Sequence, residues 1–186
     1  LVNALGIDSG ANVTLGGGFR ISDNLDLSIF RAVLDKQYFI SSKYRIFEGF
    51  SLLAGFASKT TPGITVDKDS FSLQLIYSSN ILNDAVHFTL VPTYANPVNS
   101  DPTFAFGTSI GYMLFPGLDL TAEWIPVLSG YALKYSTYSV GVKKDINGVH
   151  GMTFFLTNSI YSFPDRYIIG SPDNNYHIGF NITIII

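Results

Sequence analysis

The sequence predicts an all-β protein, an antiparallel up-and-down transmembrane β-barrel, on three observations. Apolar and polar or small residues alternate with period two in about eleven segments. Hydrophobic residues make up 47% of the 186 and charged residues only 13%, about half the charged share of a soluble domain. No apolar run approaches the roughly 20 residues that a membrane helix needs. The segments are joined in turn by tight links and long ones. Length suggests one domain, residues 1–186.

The first segment runs from Asn12 to Ile21, with Val13, Leu15, Phe19 and Ile21 on one face. In the second, Leu25, Leu27 and Ile29 oppose Asp26 and Ser28. Tyr38, Ile40, Tyr44 and Ile46 alternate with Ser41, Lys43 and Arg45 in the third, and Gly49 to Ala57 make a less regular fourth. Phe71, Leu73, Leu75 and Tyr77 face away from Ser72, Gln74 and Ser78 in the fifth. Val86, Phe88 and Leu90 face away from His87 and Thr89 in the sixth. The seventh sets Phe104, Phe106, Ile110, Tyr112 and Leu114 against Ala105, Gly107, Ser109 and Gly111. The eighth sets Leu118, Leu120, Ala122 and Trp124 against Asp119, Thr121 and Glu123. Tyr138, Val140 and Val142 oppose Ser139, Gly141 and Lys143 in the ninth, and Met152, Phe154 and Leu156 mark the tenth. The last has Ile178, Phe180, Ile182, Ile184 and Ile186 against His177, Gly179, Asn181 and Thr183.

These segments span about 9 to 12 residues, the length that crosses a bilayer as a tilted strand. The second face decides between a soluble and a membrane barrel. It is mostly Gly, Ala, Ser and Thr with a few charges, which suits a narrow interior and makes a poor solvated exterior. The apolar face is therefore expected to meet lipid.

The links support this independently. Ser22 to Asn24, Glu48-Gly49, Asn80 to Asn83, Pro116-Gly117 and Asp145 to Gly148 are tight, whereas Ser58 to Lys68, Asn96 to Asp101, Leu128 to Leu133 and Ser159 to Asn174 are long. Only the short link around Asp35 departs from the pattern. Short turns on one rim and long loops on the other are the outer-membrane arrangement, with the short turns periplasmic. Eleven strands of this parity leave the first and last running the same way. One more strand before Leu1, in the full protein or from a partner, would close an antiparallel ring of twelve.

There is no cysteine, which excludes a disulfide framework and thiolate metal sites. The net charge of −3 includes no basic cluster, so nucleic acid is not an expected partner. Nothing at Leu1 has the layout of a signal peptide, as in a mature or trimmed chain.

The run Leu5-Gly6-Ile7-Asp8-Ser9-Gly10-Ala11-Asn12, followed by Gly18-Phe19-Arg20-Ile21-Ser22-Asp23-Asn24-Leu25, resembles a family of outer-membrane β-barrels of Bacteroidetes-type bacteria, a domain of unknown function. The similarity continues at Lys43-Tyr44-Arg45, Val91-Pro92-Thr93-Tyr94, Leu120-Thr121-Ala122-Glu123-Trp124, His150 to Ser159 and Gly179-Phe180-Asn181-Ile182. The family pattern carries sequence upstream of the first run. This chain departs from it at Ile184-Ile185-Ile186, where a terminal aromatic is expected. The resemblance implies the fold and a bacterial outer-membrane location, and it brings no established activity.

The predicted lumen-facing polar residues are Asp26, Lys43, Arg45, Gln74, His87, Asp119, Glu123, Lys143, His177 and Asn181. Their charges could form a selective constriction. The favoured expectation is an ion-pair and hydrogen-bond network that plugs the lumen. His87, His150 and His177 lack metal-ligand spacing and are expected to be structural. Gly16-Gly17-Gly18 lacks the Gly-Lys-Ser/Thr ending of a phosphate loop. Asp145-Ile146-Asn147-Gly148 reads as a turn rather than a calcium loop, and the sequons at Asn12 and Asn181 fall inside strands. Tyr77, Tyr94, Tyr112, Trp124, Tyr135 and Tyr138 are the predicted interface aromatics.

No catalytic constellation, cofactor or metal site is expected. The expected function is a non-enzymatic structural or accessory barrel, with outer-membrane lipid and other outer-membrane subunits as partners. The alternative is a narrow channel for ions or small solutes. A third reading is an outer-membrane lipid hydrolase or acyltransferase using a His with Ser or Asp, Ser159 and Ser162 lying near the membrane edge.

Overall fold

Eleven full strands and one fragment form a single antiparallel sheet in the computed structural model, which describes residues 13–33, 36–59, 69–97, 101–146, 150–161 and 163–184. The strands are β1 (Thr14–Ser22), β2 (Leu25–Ala32), β3 (Gln37–Phe47), β4 (Phe50–Lys59), β5 (Asp69–Ile81) and β6 (Val86–Asn96). They continue as β7 (Thr103–Phe115), β8 (Leu118–Ile125), β9 (Val127–Ser129), β10 (Thr137–Ile146), β11 (His150–Thr157) and β12 (His177–Ile184). Each full strand pairs with its neighbours in sequence, in the order β1-β2-β3-β4-β5-β6-β7-β8-β10-β11-β12, and β9 pairs with β7. β1 and β12 are the two edges, and they share no ladder among the described residues.

The fragment β9 has a simple cause. Pro126 lies between Ile125 and Val127 and has no N–H to give the ladder, although its carbonyl still accepts Phe106 N–H at 3.1 Å. One strand is thereby split into β8 and β9, both lying along β7. The twelfth strand of this sheet is thus a proline-cut fragment. The strand expected before Leu1 lies outside the described residues.

The two rims differ as the links foretold. Gly49 and Gly117 take φ of +76° and +75°, values that favour glycine, and they turn β3 into β4 and β7 into β8 in two residues. The turn after β5 has no such relief, since Leu82, Asn83 and Asp84 all have positive φ. The links of residues 130–136 and 158–176 lie on the opposite rim, and those of residues 60–68 and 98–100 fall outside the described residues.

The two faces differ in the same way as the sequence pattern. Phe19, Ile40, Phe56, Ile110, Val140, Phe154 and Phe180 are exposed together on one face. On the other face burial is graded. Ala32, Gln37, Phe39, Ala57, Ser70, Ala95, Thr103, Ala105, Ile125, Thr137 and Thr157 are buried near the long-loop rim, whereas Lys43, Arg45, Asn80 and Lys143 toward the short turns are exposed.

Glycine on the inner face makes room for inward aromatics. A Cβ on Gly55 would overlap the Phe39 ring and come within 2.9 Å of Ser72 Oγ. Gly55→Ala should therefore destabilise by about 1–3 kcal/mol through overpacking. Gly17→Ala should change little, because nothing lies within 4 Å of a Cβ there. Urea unfolding of the two variants in lipid vesicles compares them directly.

Candidate functional site

The candidate site is the inner face together with the long link from β11 to β12, residues 158–176. Much of that link turns back onto the wall: residues 163–165 and 168–171 are buried, whereas 172–176 are exposed. Asn158 anchors its start, with Nδ2 donating to Ser136 O at 2.8 Å and Oδ1 accepting from Tyr138 N at 2.9 Å. Ser171 anchors its far side, donating from Oγ to Asn158 O at 2.7 Å and pairing by backbone with Tyr135. Between these staples Pro164 occupies the first turn of a short helix, α1 (Pro164–Tyr167), where its missing N–H costs nothing.

Residues 163–169 meet several different parts of the wall. Phe163 stacks on Phe39 of β3, ring centroids 5.1 Å apart. Asp165 Oδ2 accepts from Gln37 Nε2 at 2.9 Å and from Ser70 Oγ, on β5, at 2.8 Å. Gln74 Nε2 donates to Tyr167 Oη at 3.1 Å, and Thr137 Oγ1 of β10 donates to Tyr167 O at 2.6 Å. Ile168 and Ile169 pack into a cluster with Ala95, Ala105 and Ile125, from β6, β7 and β8. A segment nineteen residues long can touch β3, β5, β6, β7, β8 and β10 on one face only if the sheet curls around it. The apolar face is then outside, and the loop fills the lumen at its long-loop end.

Beneath the loop lies a cavity of about 120 Å³, lined by Glu123, Ile125, Thr137, Ser139, Phe155, Thr157, Ser159, Tyr161 and Tyr167. Burial pushes the Tyr167 phenol up to about 12, against the pull of the Gln74 hydrogen bond, with the Glu123 and Asp165 charges adding to the rise. The folded value lies above the unfolded one near 10. The neutral phenol therefore supports loop seating fully below pH 10, and that support is lost as pH rises through about 12. Cleavage of residues 158–176 by an alkali-tolerant protease should accelerate across that window, and in Tyr167→Phe it should not.

The residues expected in the lumen fall into two groups. Gln74 is buried and holds the loop, and Glu123 lines the cavity with Ser139 Oγ donating to it at 3.4 Å. The rest lie outside this contact. Asp26 pairs with Arg20 at 3.4 Å, both well exposed. Lys43 and Arg45 are exposed on β3, and Asp119 faces Lys143 in register without an ion pair. His87 Nδ1 bonds Asn80 Oδ1 at 2.9 Å, His177 is half-buried opposite Thr157, and Asn181 is exposed on β12.

The expected network of Asp26, Lys43, Arg45, Asp119, Glu123 and Lys143 does not form among the described residues. All but Glu123 lie toward the short turns, where water reaches them and pairing gains little. What packs against the inner face at the long-loop end is a largely apolar and aromatic loop with one buried carboxylate. Phe39, Gln37, Ser70, Phe163 and Asp165 were all missed as site residues. The available signal was Phe163-Pro164 and Tyr167-Ile168-Ile169, too apolar for a link that faces water.

Tyr77, Tyr94, Tyr112 and Trp124 are exposed on the outer face, each more than 40%. Tyr94 pairs with Phe104, eight residues from Tyr112 along β7, or about 26 Å of strand, of the order of the ~25 Å apolar band of membrane barrels. Trp124 pairs with Tyr138 near the long-loop ends of their strands. Tyr138 Oη donates to Asn174 Oδ1 at 2.8 Å. Tyr135 lies two residues before β10, in an isolated bridge to Ser171 and with Lys134 over its ring. Trp124 is the single tryptophan. Its fluorescence should be quenched more by lipids brominated near the headgroup than near the chain end, and the reverse order would remove it from the interface.

Among the described residues no group of three His, Asp or Glu gathers to hold a metal. Ser159 Oγ accepts Tyr161 N–H at 3.2 Å and meets no histidine. The sequence model of a family described as "Membrane bound beta barrel domain (DUF5777)" matches residues 2–185. A solved porin structure is similar with a TM-score of 0.44 and 10% identity, over 96% of this chain. The chain spans 63% of that porin's length. No curated protein matches.

Proposed function

This chain belongs to the membrane-bound β-barrel domain family, and on that premise we propose that it is a non-enzymatic bacterial outer-membrane barrel, closed by its own loop, that serves as a structural or accessory subunit of an outer-membrane assembly. The observation that carries the closed reading is the insertion of residues 158–176 across the lumen, seated on Phe39, Gln37, Ser70 and Gln74. The subunit reading draws on the sheet edges. β1 and β12 both run from the long-loop rim to the short turns, so a strand running the other way fits between them, from this protein or from a partner. In lipid each unpaired edge N–H or C=O costs several kcal/mol, so the edges attract such a strand.

A narrow channel is the second reading, favoured by the cavity of about 120 Å³ beneath the loop and by the polar inner face below it. Planar-bilayer recording separates the two. The closed barrel gives no steady openings, and steady ion-selective openings of the wild-type protein would establish the channel instead. Detergent extraction tests the subunit role, which predicts fixed partners and is contradicted by a protein that migrates alone.

A further inference from the structure

One inward row of side chains runs from β5 to β12 without an apolar member. The ladders set Ser78 level with Thr89, Thr89 with Ser109, and Ser109 with Glu123. They continue from Glu123 to Ser139, from Ser139 to Thr157, and from Thr157 to His177 on the edge strand. Every full strand in that span thus contributes a hydroxyl, a carboxyl or an imidazole to the row. The rows beside it are broken. Two residues nearer the long loops, the same strands carry Ile76, Val91, Gly107 and Ile125. Two residues nearer the short turns, Gly111, Gly141, Phe155 and Gly179 interrupt the row of His87 and Thr121.

The polar row also climbs from one rim to the other. Ser78 sits beside the turn from β3 to β4, its N–H bonded to Gly49 O at 2.7 Å. His177 opens β12 at the end of the long link. Six steps between strands about 4.8 Å apart make about 29 Å along the sheet. With strands tilted by about 40°, that is a rise of about 19 Å, most of the ~25 Å apolar band of a membrane barrel.

Level partners on one face have Cβ atoms about 5 Å apart, so polar side chains in such a row bond directly or through one water. Ser78 Oγ and Thr89 Oγ1 are bonded directly at 3.1 Å, and Ser139 Oγ donates to Glu123 Oε2 at 3.4 Å. The cavity beneath the loop follows the upper half of the row, with Glu123, Ser139 and Thr157 in its lining, and its volume of about 120 Å³ has room for several waters. Glu123 makes no ion pair among the described residues. The titratable groups that face it are Tyr167 across the cavity and, four residues nearer the short turns on β8 and β10, Asp119 and Lys143.

We propose that this row, with the water between its members, carries protons through the barrel beside the seated loop. The proposal rests on the reading of the barrel as closed by that loop. An ion needs a hydrated bore, which the loop occupies, whereas a proton needs only an unbroken file of hydrogen bonds. Each hydroxyl oxygen takes a proton from one neighbour while its own passes to the next. The Glu123 carboxylate takes a proton from the Ser109 side and returns to its ionised form by passing it to the Ser139 side. His177 takes it on one ring nitrogen and releases a proton from the other at the outer mouth.

The test is proton flux into phosphatidylcholine vesicles that hold the whole protein and a trapped pH-sensitive dye. Valinomycin, with potassium on both sides, carries the balancing charge, and acid is added outside. Wild type should equilibrate pH several-fold faster than protein-free vesicles, while potassium release without valinomycin stays at the protein-free rate. Glu123→Gln and Thr157→Val, which keep side-chain volume, should each slow the protein-dependent flux at least about tenfold. Thr121→Val, in the broken row below, should leave it unchanged. Wild-type vesicles that equilibrate no faster than protein-free ones, with potassium retained, overturn the path and leave the closure standing. A loss of flux in Thr121→Val equal to that in Thr157→Val overturns the row as the route. Potassium released as fast as protons overturns the closure itself, and the proton-only path with it.

Discussion

Ile110→Arg should cost about 2–4 kcal/mol of folding stability in lipid, the range for a cationic side chain near the bilayer midplane of a barrel. Ile110 is mid-strand on β7, 52% exposed, and pairs with Phe88 on one side and Ala122 on the other. An arginine there has neither a partner nor water within easy reach. The adjacent Ser109 points the opposite way, and its register partner on β8 is Glu123. Ser109→Arg sets a positive charge beside that carboxylate inside the lumen and should cost less than about 1 kcal/mol. Urea titration of both variants in vesicles gives the comparison. Equal losses at the two positions would contradict the assignment of faces, since a one-residue step along a strand reverses the side.

That reversal is also why the barrel wall was legible in the sequence. Ile110 and Ser109, or Ile40 and Ser41, differ in chemistry because they meet different surroundings, and period two shows it in sequence alone. Short turns needing glycine at positive φ, as at Gly49 and Gly117, were equally local. Pro126 was visible too, yet its effect on β8 was not anticipated, since a proline's consequence depends on which neighbour needs its N–H. The seating of the loop on the inner face was hidden for a different reason. Asp165 meets Ser70 across 95 positions of sequence and Gln37 across 128. Ser70 and Gln37 look like any inward polar residue of a narrow barrel. Charges drew attention because they are rare in this chain, but water at the short-turn end already satisfies them.

Phe163→Ala should release the loop and turn a silent barrel into a conducting one. Phe163 is 3% exposed and stacked on Phe39, within the cluster that includes Ala32 and Ala57. Truncating a buried phenylalanine costs about 3–5 kcal/mol, and here the cost falls on the seating of the loop. Each 1.4 kcal/mol is about a factor of ten in population, so the unseated form should rise by about two to four orders of magnitude. Two readouts should move together: rapid cleavage within residues 158–176, and bursts of current in planar bilayers. Phe39→Ala removes the same contact from the wall, so the double variant should be little worse than either single one. Phe154→Ala is the control, because Phe154 is 53% exposed on the outer face beside Phe180. It should weaken the barrel in lipid without opening it. If the Phe163→Ala loop is cleaved rapidly and the bilayer stays silent, the loop is seated in the lumen but does not seal it, and the barrier lies among the inward side chains below.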